Sequence, residues 1–194
     1  MSERRSDLAS IRDRASLVAW QASGERLKWL HFWGHTAPAS GAIGPHVLSQ
    51  WWPAAFVVEG VTYATAEHWM MAEKARLFGD RDAERAAVEA GHPAEAKAAG
   101  RLVRNFDDAV WTRRRVAVVV EGSVHKFDQH DELRAYLLGT GERVLVEASP
   151  RDRIWGIGLG ATDERATDAA RWRGENLLGF ALMEARARLR GAPT

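Results

Sequence analysis

The sequence contains no cysteine. That excludes a disulfide framework, a thiolate nucleophile and any zinc site built on thiolates. Tyrosine is scarce, with two residues against nine tryptophans. Long apolar runs are missing: no segment approaches the roughly 20 residues that a membrane-crossing helix needs. The first stretch, MSERRSDLASIRDR, has no apolar core of the kind a signal peptide carries. The default expectation is a cytoplasmic protein with no membrane partner. An excess of one charge is missing too. Lys and Arg number 27 and Asp and Glu 26, a formal net charge of +1, so no global field steers the chain toward nucleic acid. What is present is a chain of 194 residues, 46% hydrophobic and 27% charged. That balance supports one domain with a sizeable core and argues against wholesale disorder.

The nine tryptophans spread along the whole chain. Each buried indole N–H wants a partner. For any single one a core role is favoured over a stacking wall for a flat ligand such as a nucleobase.

Periodicity predicts a helix-dominated α+β domain with a few short strands. Residues 1–26 read as a polar N-terminal extension. Leu8, Ile11, Leu17 and Val18 suit a loosely attached amphipathic helix ending at Gly24, and the main domain covers 27–190. LKWLHFWG reads as a short buried strand. HTAPASGAIGPHVL reads as a loop, and AAFVVEGVTYAT as two short strands around Glu59-Gly60. A helix follows over Glu67 to Phe78, with the Thr65 hydroxyl as its N-cap acceptor. Others are predicted from Pro93 through Val103, from Asp107 to Lys126 and over DELRAYLLGTG. RVLVEA is a strand. After a loop over 149–175, a last helix starts at Asn176 as N-cap.

The helix over 67–78 carries an anomaly. At about 100° per residue, Met70, Met71, Leu77 and Phe78 form one apolar stripe, and Glu67 and Lys74 fall in its middle. Glu73 and Arg76 lie on the polar face. A buried lysine is rare unless paired, and an isolated buried ammonium sheds its proton. A direct Glu67–Lys74 ion pair is the simplest account, but seven residues of helix span about 10 Å, which strains side-chain reach. The better reading has both side chains projecting into a polar cavity between this helix and its neighbours.

Three further patterns carry weaker signals. In SPRDRIWGIGLG, Gly156, Gly158 and Ala161 loosely fit a dinucleotide-binding fingerprint, but no strand enters the glycines and no helix follows them. These glycines can let backbone N–H groups approach an anion, or simply form a turn. In GENLLG, Gly179 within a helix costs up to about 1 kcal/mol relative to alanine, which implies close packing there. Asn176 at the helix start suits ordinary capping, with a phosphate or ribose site as the alternative. His31 and His35 have metal-like spacing, but a glycine lies between them and no acid completes a site, so no metal is expected. TRRR (112–115) reads as a solvated helix face with a phosphate contact.

LSQWWPAAFVVEGVTYATAEHWMMAEKA, PAEAKAAGR, DAVW, DRIWGIGLG and GENLLGFALMEAR resemble, in this order, the blocks of the NADAR family, the YbiA-like N-glycosidases also called DUF1768. The resemblance runs from about Lys28 to Arg188. It implies a small α+β domain that cleaves a C–N bond at an anomeric ribose carbon. The implied substrates are riboflavin-biosynthesis intermediates, the ribosylaminouracil phosphates, or ADP-ribosylated guanine in nucleic acid. A module that binds ADP-ribose or NAD derivatives without turnover is the alternative. Glu67 and Lys74 match the family's E-H-x-x-x-x-x-K motif, and Trp69–Met70 departs from the Tyr and Phe common there. Trp111 matches an aromatic near the site. Asp152, Trp155 and Gly156 match D-x-x-W-G, Asn176 and Gly179 match N-x-L-G, and Phe32, Trp33 and Gly34 fall in the opening FWGH block.

The resemblance makes Glu67, Lys74 and Asp152 the expected catalytic set. Glu67 would stabilise an oxocarbenium-like centre and deprotonate water. Lys74 would act as nucleophile through a Schiff base, or as acid toward the departing base. Asp152 would orient a ribose hydroxyl or water, Trp155 would stack on the base, and Asn176 with the glycines near Gly156 would hold phosphate or ribose. No cofactor or metal is needed for this chemistry.

Overall fold

Residues 11–24 and 26–191 are described by the structure, a computed structural model. Among them run seven α-helices and four short strands, the helix-rich α+β arrangement expected. The chain falls into two units: residues up to Trp33 together with those from Leu137 onward, and Gly34–Tyr136. Among the described residues no helix is long and apolar enough to cross a membrane.

The first unit is built on a parallel pair, β1 (Trp29–Phe32) and β4 (Val144–Glu147), in the register Trp29 to Val144 through Phe32 to Glu147. β4 is an apolar run whose Val144, Leu145 and Val146 are fully buried, as a strand covered on both faces must be. β1 was expected to be equally buried, but only Phe32 is. Helix α7 (Leu177–Gly191) packs on β4, and its Leu178, Phe180, Ala181 and Leu182 are buried.

Helix α1 (Arg14–Ala22) is not loosely attached. Asp13 and Ser16 close a capping box at its start. Leu17 is fully buried and Ile11 nearly so. Arg14 donates to the carbonyls of Ala169 and Ala170, and Gln21 bonds Thr167 and Ala169. Leu8 and the polar run around it lie outside the described residues.

The second unit holds the antiparallel hairpin β2 (Phe56–Val58) and β3 (Val61–Tyr63). Its two-residue turn, Glu59-Gly60, has positive φ at both positions, 50° and 81°, the geometry that suits a tight hairpin. Helices α2 (Ala66–Leu77), α3 (Arg81–Val88), α4 (Pro93–Arg101) and α5 (Asp108–Asp128) follow. The sequence reading offers no element for α3. The signal was there: Asp80 accepts from Ala83 N–H as N-cap, and the same carboxylate takes three hydrogen bonds from Arg104. The segment expected to be all loop contains a short 3-10 turn, Pro45–Leu48. Helix α6 (Asp131–Gly139) carries the chain across the division.

That 3-10 turn is held from below by a buried lysine. Lys126 on α5 is fully buried, and its Nζ donates to the carbonyl oxygens of Val47 at 2.7 Å and Ser49 at 2.8 Å. Burial pushes its ammonium down from 10.5 to about 7. The unfolded chain therefore binds a proton that the folded chain does not between these two values, and stability rises with pH across that window. The slope is at most about 1.4 kcal/mol per pH unit. We expect the melting temperature of wild type to gain on that of Lys126→Met between pH 7 and 9. An identical pH dependence in the two proteins would disprove this.

Candidate active site

The first two turns of α2 are interior on every side. Each residue from Ala66 to Ala72 is buried, Glu67 at 3% exposure. This corrects the single apolar stripe expected from periodicity. α2 is enclosed by β3, α3, α4 and α5 together, so it has no solvent side until its last turns. There Arg76 pairs with Glu73 and with Glu84, and donates to the Tyr63 hydroxyl.

Lys74 lies in those last turns, half-buried. Its Nζ donates to the Gly100 carbonyl at 2.7 Å. It also stands 4.2 Å from the centre of the Phe106 ring and 5.8 Å from that of Trp111, within cation–π range. Where a polar cavity was expected, the Lys74 amine meets one carbonyl and two aromatic rings. Gly100 is in the last turn of α4, where backbone carbonyls lack helical partners and the helix dipole is negative. α4 comes this close because residue 100 has no side chain: a Cβ there would run into Met71. Burial pushes the Lys74 ammonium below its ordinary value, and nearby Asp108 pulls the other way. An amine so placed is a better nucleophile near neutral pH than a solvated lysine.

His68, next to Glu67, locks the start of α2. Its Nδ1 meets the Thr65 hydroxyl at 2.8 Å and its Nε2 meets the Ala90 carbonyl at 3.1 Å. A carbonyl only accepts, so the proton sits on Nε2 and the Thr65 hydroxyl donates to Nδ1. Burial lowers the imidazole pKa and favours this neutral form. Thr65 is the N-cap residue by position, but its side chain makes no cap hydrogen bond, because His68 takes it.

The remaining expected site residues belong to the first unit, apart from Trp111 and Gly34. Asp152 Oδ1 accepts from the backbone N–H groups of Ile154 and Trp155, both at 2.8 Å. It folds its own loop. Trp155 is half-buried. A Cβ on Gly156 would meet the Glu147 carbonyl oxygen at 2.9 Å and Ser149 Cβ at 3.0 Å, so this glycine serves close packing of loop on strand.

Asn176 is fully buried with φ of +56°. Its backbone carbonyl accepts from Phe180 N–H, but its side chain caps nothing on α7. Nδ2 donates to the Leu145 carbonyl and Oδ1 accepts from Glu147 N–H, both at 2.9 Å. A Cβ on Gly179 would strike the Leu145 carbonyl oxygen and the Asn176 amide. The first N–H groups of α7, those of Leu177 and Leu178, donate to the carbonyls of Ile154 and Trp155. This helix start is filled by protein rather than offered to a phosphate. Phe32 is buried in β1, Trp33 beyond it is 64% exposed, and Gly34 is exposed with φ of +77°.

The two histidines with metal-like spacing do separate things. His31 meets the Ala166 carbonyl and stacks on Trp29, while His35 packs on Trp51. Among the described residues no group of three His, Asp or Glu side chains is placed to hold a metal ion.

The NADAR domain model matches residues 31–190. The chain belongs to the NADAR domain family. N-glycosidase R617 of Acanthamoeba polyphaga mimivirus is 42% identical to it over 148 residues, 74% of this chain and 87% of that protein. N-glycosidase YbiA of Escherichia coli (strain K12) is 33% identical over 138 residues, 71% of this chain and 76% of that protein. The NMR structure of the E. coli protein YbiA has the same fold, with a TM-score of 0.64 at 27% identity, covering 86% of this chain and 87% of that one. The enzyme class is that of the N-glycosyl hydrolases.

The NADAR blocks occupy different places in the structure. D-x-x-W-G and N-x-L-G fold the loop 152–156 and seat α7 on β4. The E-H-x-x-x-x-x-K block brings a buried acid and a half-buried amine onto one helix. The sequence reading missed Phe106, the ring nearest the Lys74 ammonium, and the Gly100 carbonyl that takes its hydrogen bond. Phe106 precedes the α5 N-cap Asp107, where nothing in a linear pattern separates it from other exposed aromatics. Gly100 had a signal, since a glycine inside a helical run asks for a close neighbour.

Proposed function

We propose that this chain hydrolyses the C–N bond between an anomeric ribose carbon and an amine or a nucleobase. Its substrates on this reading are ribosylaminouracil phosphates or ADP-ribosylated guanine. The observation that carries the reading is Lys74: an amine with a lowered pKa, fixed by the α4 C-terminus and walled by Phe106 and Trp111, on the same helix as the buried Glu67.

In the proposed reaction the neutral Lys74 amine attacks C1 of the ring-opened ribosyl group. The bond from C1 to the base nitrogen breaks, the base leaves with a proton, and an iminium links C1 to Lys74. Glu67 takes a proton from water, whose oxygen bonds to C1, and Lys74 is released. The net change is one water consumed, one free base and one free ribosyl group. Asp152 contributes indirectly by shaping the loop that carries Trp155.

The test is incubation of wild-type protein with DNA bearing ADP-ribosylated guanine and, separately, with ribosylaminouracil phosphate. Free base from either supports the proposal and names the substrate. Release from neither, with ADP-ribose raising the melting temperature, would replace it with a binding module.

A further inference from the structure

The turn before the hairpin carries a polar group that the reaction just described does not use. Gln50 is 8% exposed, and its Nε2 has no hydrogen-bond partner. A buried amide donor without a partner is costly, and such groups in folded proteins call for an explanation. Polar groups of the neighbouring residues are already engaged. The Ser49 carbonyl accepts from Lys126 Nζ and from Trp52 N–H, the Ser49 hydroxyl accepts from Trp51 N–H, and the Thr65 hydroxyl is bonded to His68.

The position of Gln50 is not slack. Its backbone carbonyl accepts from Glu67 N–H at 3.0 Å, which ties it to the first turn of α2. Lys126 grips the carbonyls of Val47 and Ser49 just before it. A desolvated donor on a residue whose backbone is tied to the first turn of the Glu67 helix is an arrangement that recognises one acceptor atom strongly, because a substrate lacking that atom leaves the donor unpaired.

We propose that Gln50 is a substrate-binding, specificity-determining residue whose Nε2 donates to a neutral oxygen of the ribosyl substrate next to Glu67. An amide carries no charge, so the acceptor is a hydroxyl or carbonyl oxygen rather than a phosphate. Lys126 is the positioning residue that holds the turn. The assignment rests on the N-glycosidase reading of Glu67.

The test is Gln50→Met, close to Gln in size but without a donor. On whichever substrate wild type cleaves, kcat/KM should fall about ten- to a hundredfold. The melting temperature should stay equal or rise, since an unpaired buried donor has been removed. A fall of more than about 4 °C, the scale of a lost structural hydrogen bond in a protein this size, with kcat/KM unchanged would overturn it. If wild type cleaves neither substrate, the proposed function fails, and the melting shift with ADP-ribose decides Gln50 alone. A shift in wild type that is lost in Gln50→Met supports the assignment. Equal shifts, or none in either protein, overturn it.

Discussion

Lys74→Ala should lose at least about a thousandfold in turnover, the upper range for removing a group that takes part in bond breaking, while remaining folded. The stability cost is modest because Lys74 is half-buried and surrenders one hydrogen bond, to Gly100, with its cation–π contacts to Phe106 and Trp111. Together these are worth about 2 kcal/mol, or about 4–8 °C in melting temperature for a protein of this size. Lys74→Arg separates two roles. A fixed positive charge that only stabilises a leaving group survives in arginine, whereas a nucleophilic amine does not, because the guanidinium stays protonated. The iminium route predicts that both variants are inactive. It also predicts that borohydride added during turnover leaves a ribosyl adduct on wild type that mass spectrometry does not find on either variant. The rate should rise with pH and level off below the ordinary lysine value of 10.5, since burial lowers the Lys74 pKa. Full activity in Lys74→Ala would remove the residue from the mechanism.

Sequence periodicity located the Glu67 and Lys74 pair because two residues seven apart must share a helix face. It missed the degree of enclosure. An apolar stripe is a property of one helix, whereas burial of every residue from Ala66 to Ala72 depends on the α3, α4 and α5 helices around it. Local chemistry was legible wherever it stayed local. Pro93 opens α4, Glu59-Gly60 turns the hairpin, and β-branched residues mark β4. It failed where a side chain had two uses and a distant partner decided. Thr65 looked like a capping hydroxyl, but His68 holds it. Asn176 looked like a cap as well, and its partners lie about thirty residues earlier on β4. The Lys126 grip on Val47 and Ser49 joins residues nearly eighty apart, and no window over the sequence contains both.

Asn176→Asp should be among the most destabilising single-atom changes in this chain. Among the described residues β4 has one neighbouring strand, β1. Val144 and Ala148 donate toward β1, to the carbonyls of Lys28 and Phe32. Leu145 and Glu147 face the other edge, which has no strand among the described residues. There the Asn176 amide does the work of a peptide group, donating to the Leu145 carbonyl and accepting from Glu147 N–H, and Ile157 N–H completes the edge on the Glu147 carbonyl. Gly179 permits this by keeping α7 against the strand. Aspartate keeps the acceptor but sets a carboxylate oxygen against a carbonyl oxygen in a site with no solvent exposure. A buried acceptor loses its donor and a buried charge loses its hydration. The expected cost is at least about 3 kcal/mol, roughly 6–12 °C in melting temperature. Asn176→Ala, which strands the two backbone groups without adding a charge, should cost less. The sign of the pH response discriminates further. A carboxyl group buried this way holds its proton more tightly when folded than unfolded, so the deficit of Asn176→Asp should shrink as pH falls. The protonated acid regains the donor that Leu145 needs. If Asn176 held phosphate instead, Asn176→Asp would weaken ligand binding and leave the melting temperature of the free protein near that of wild type.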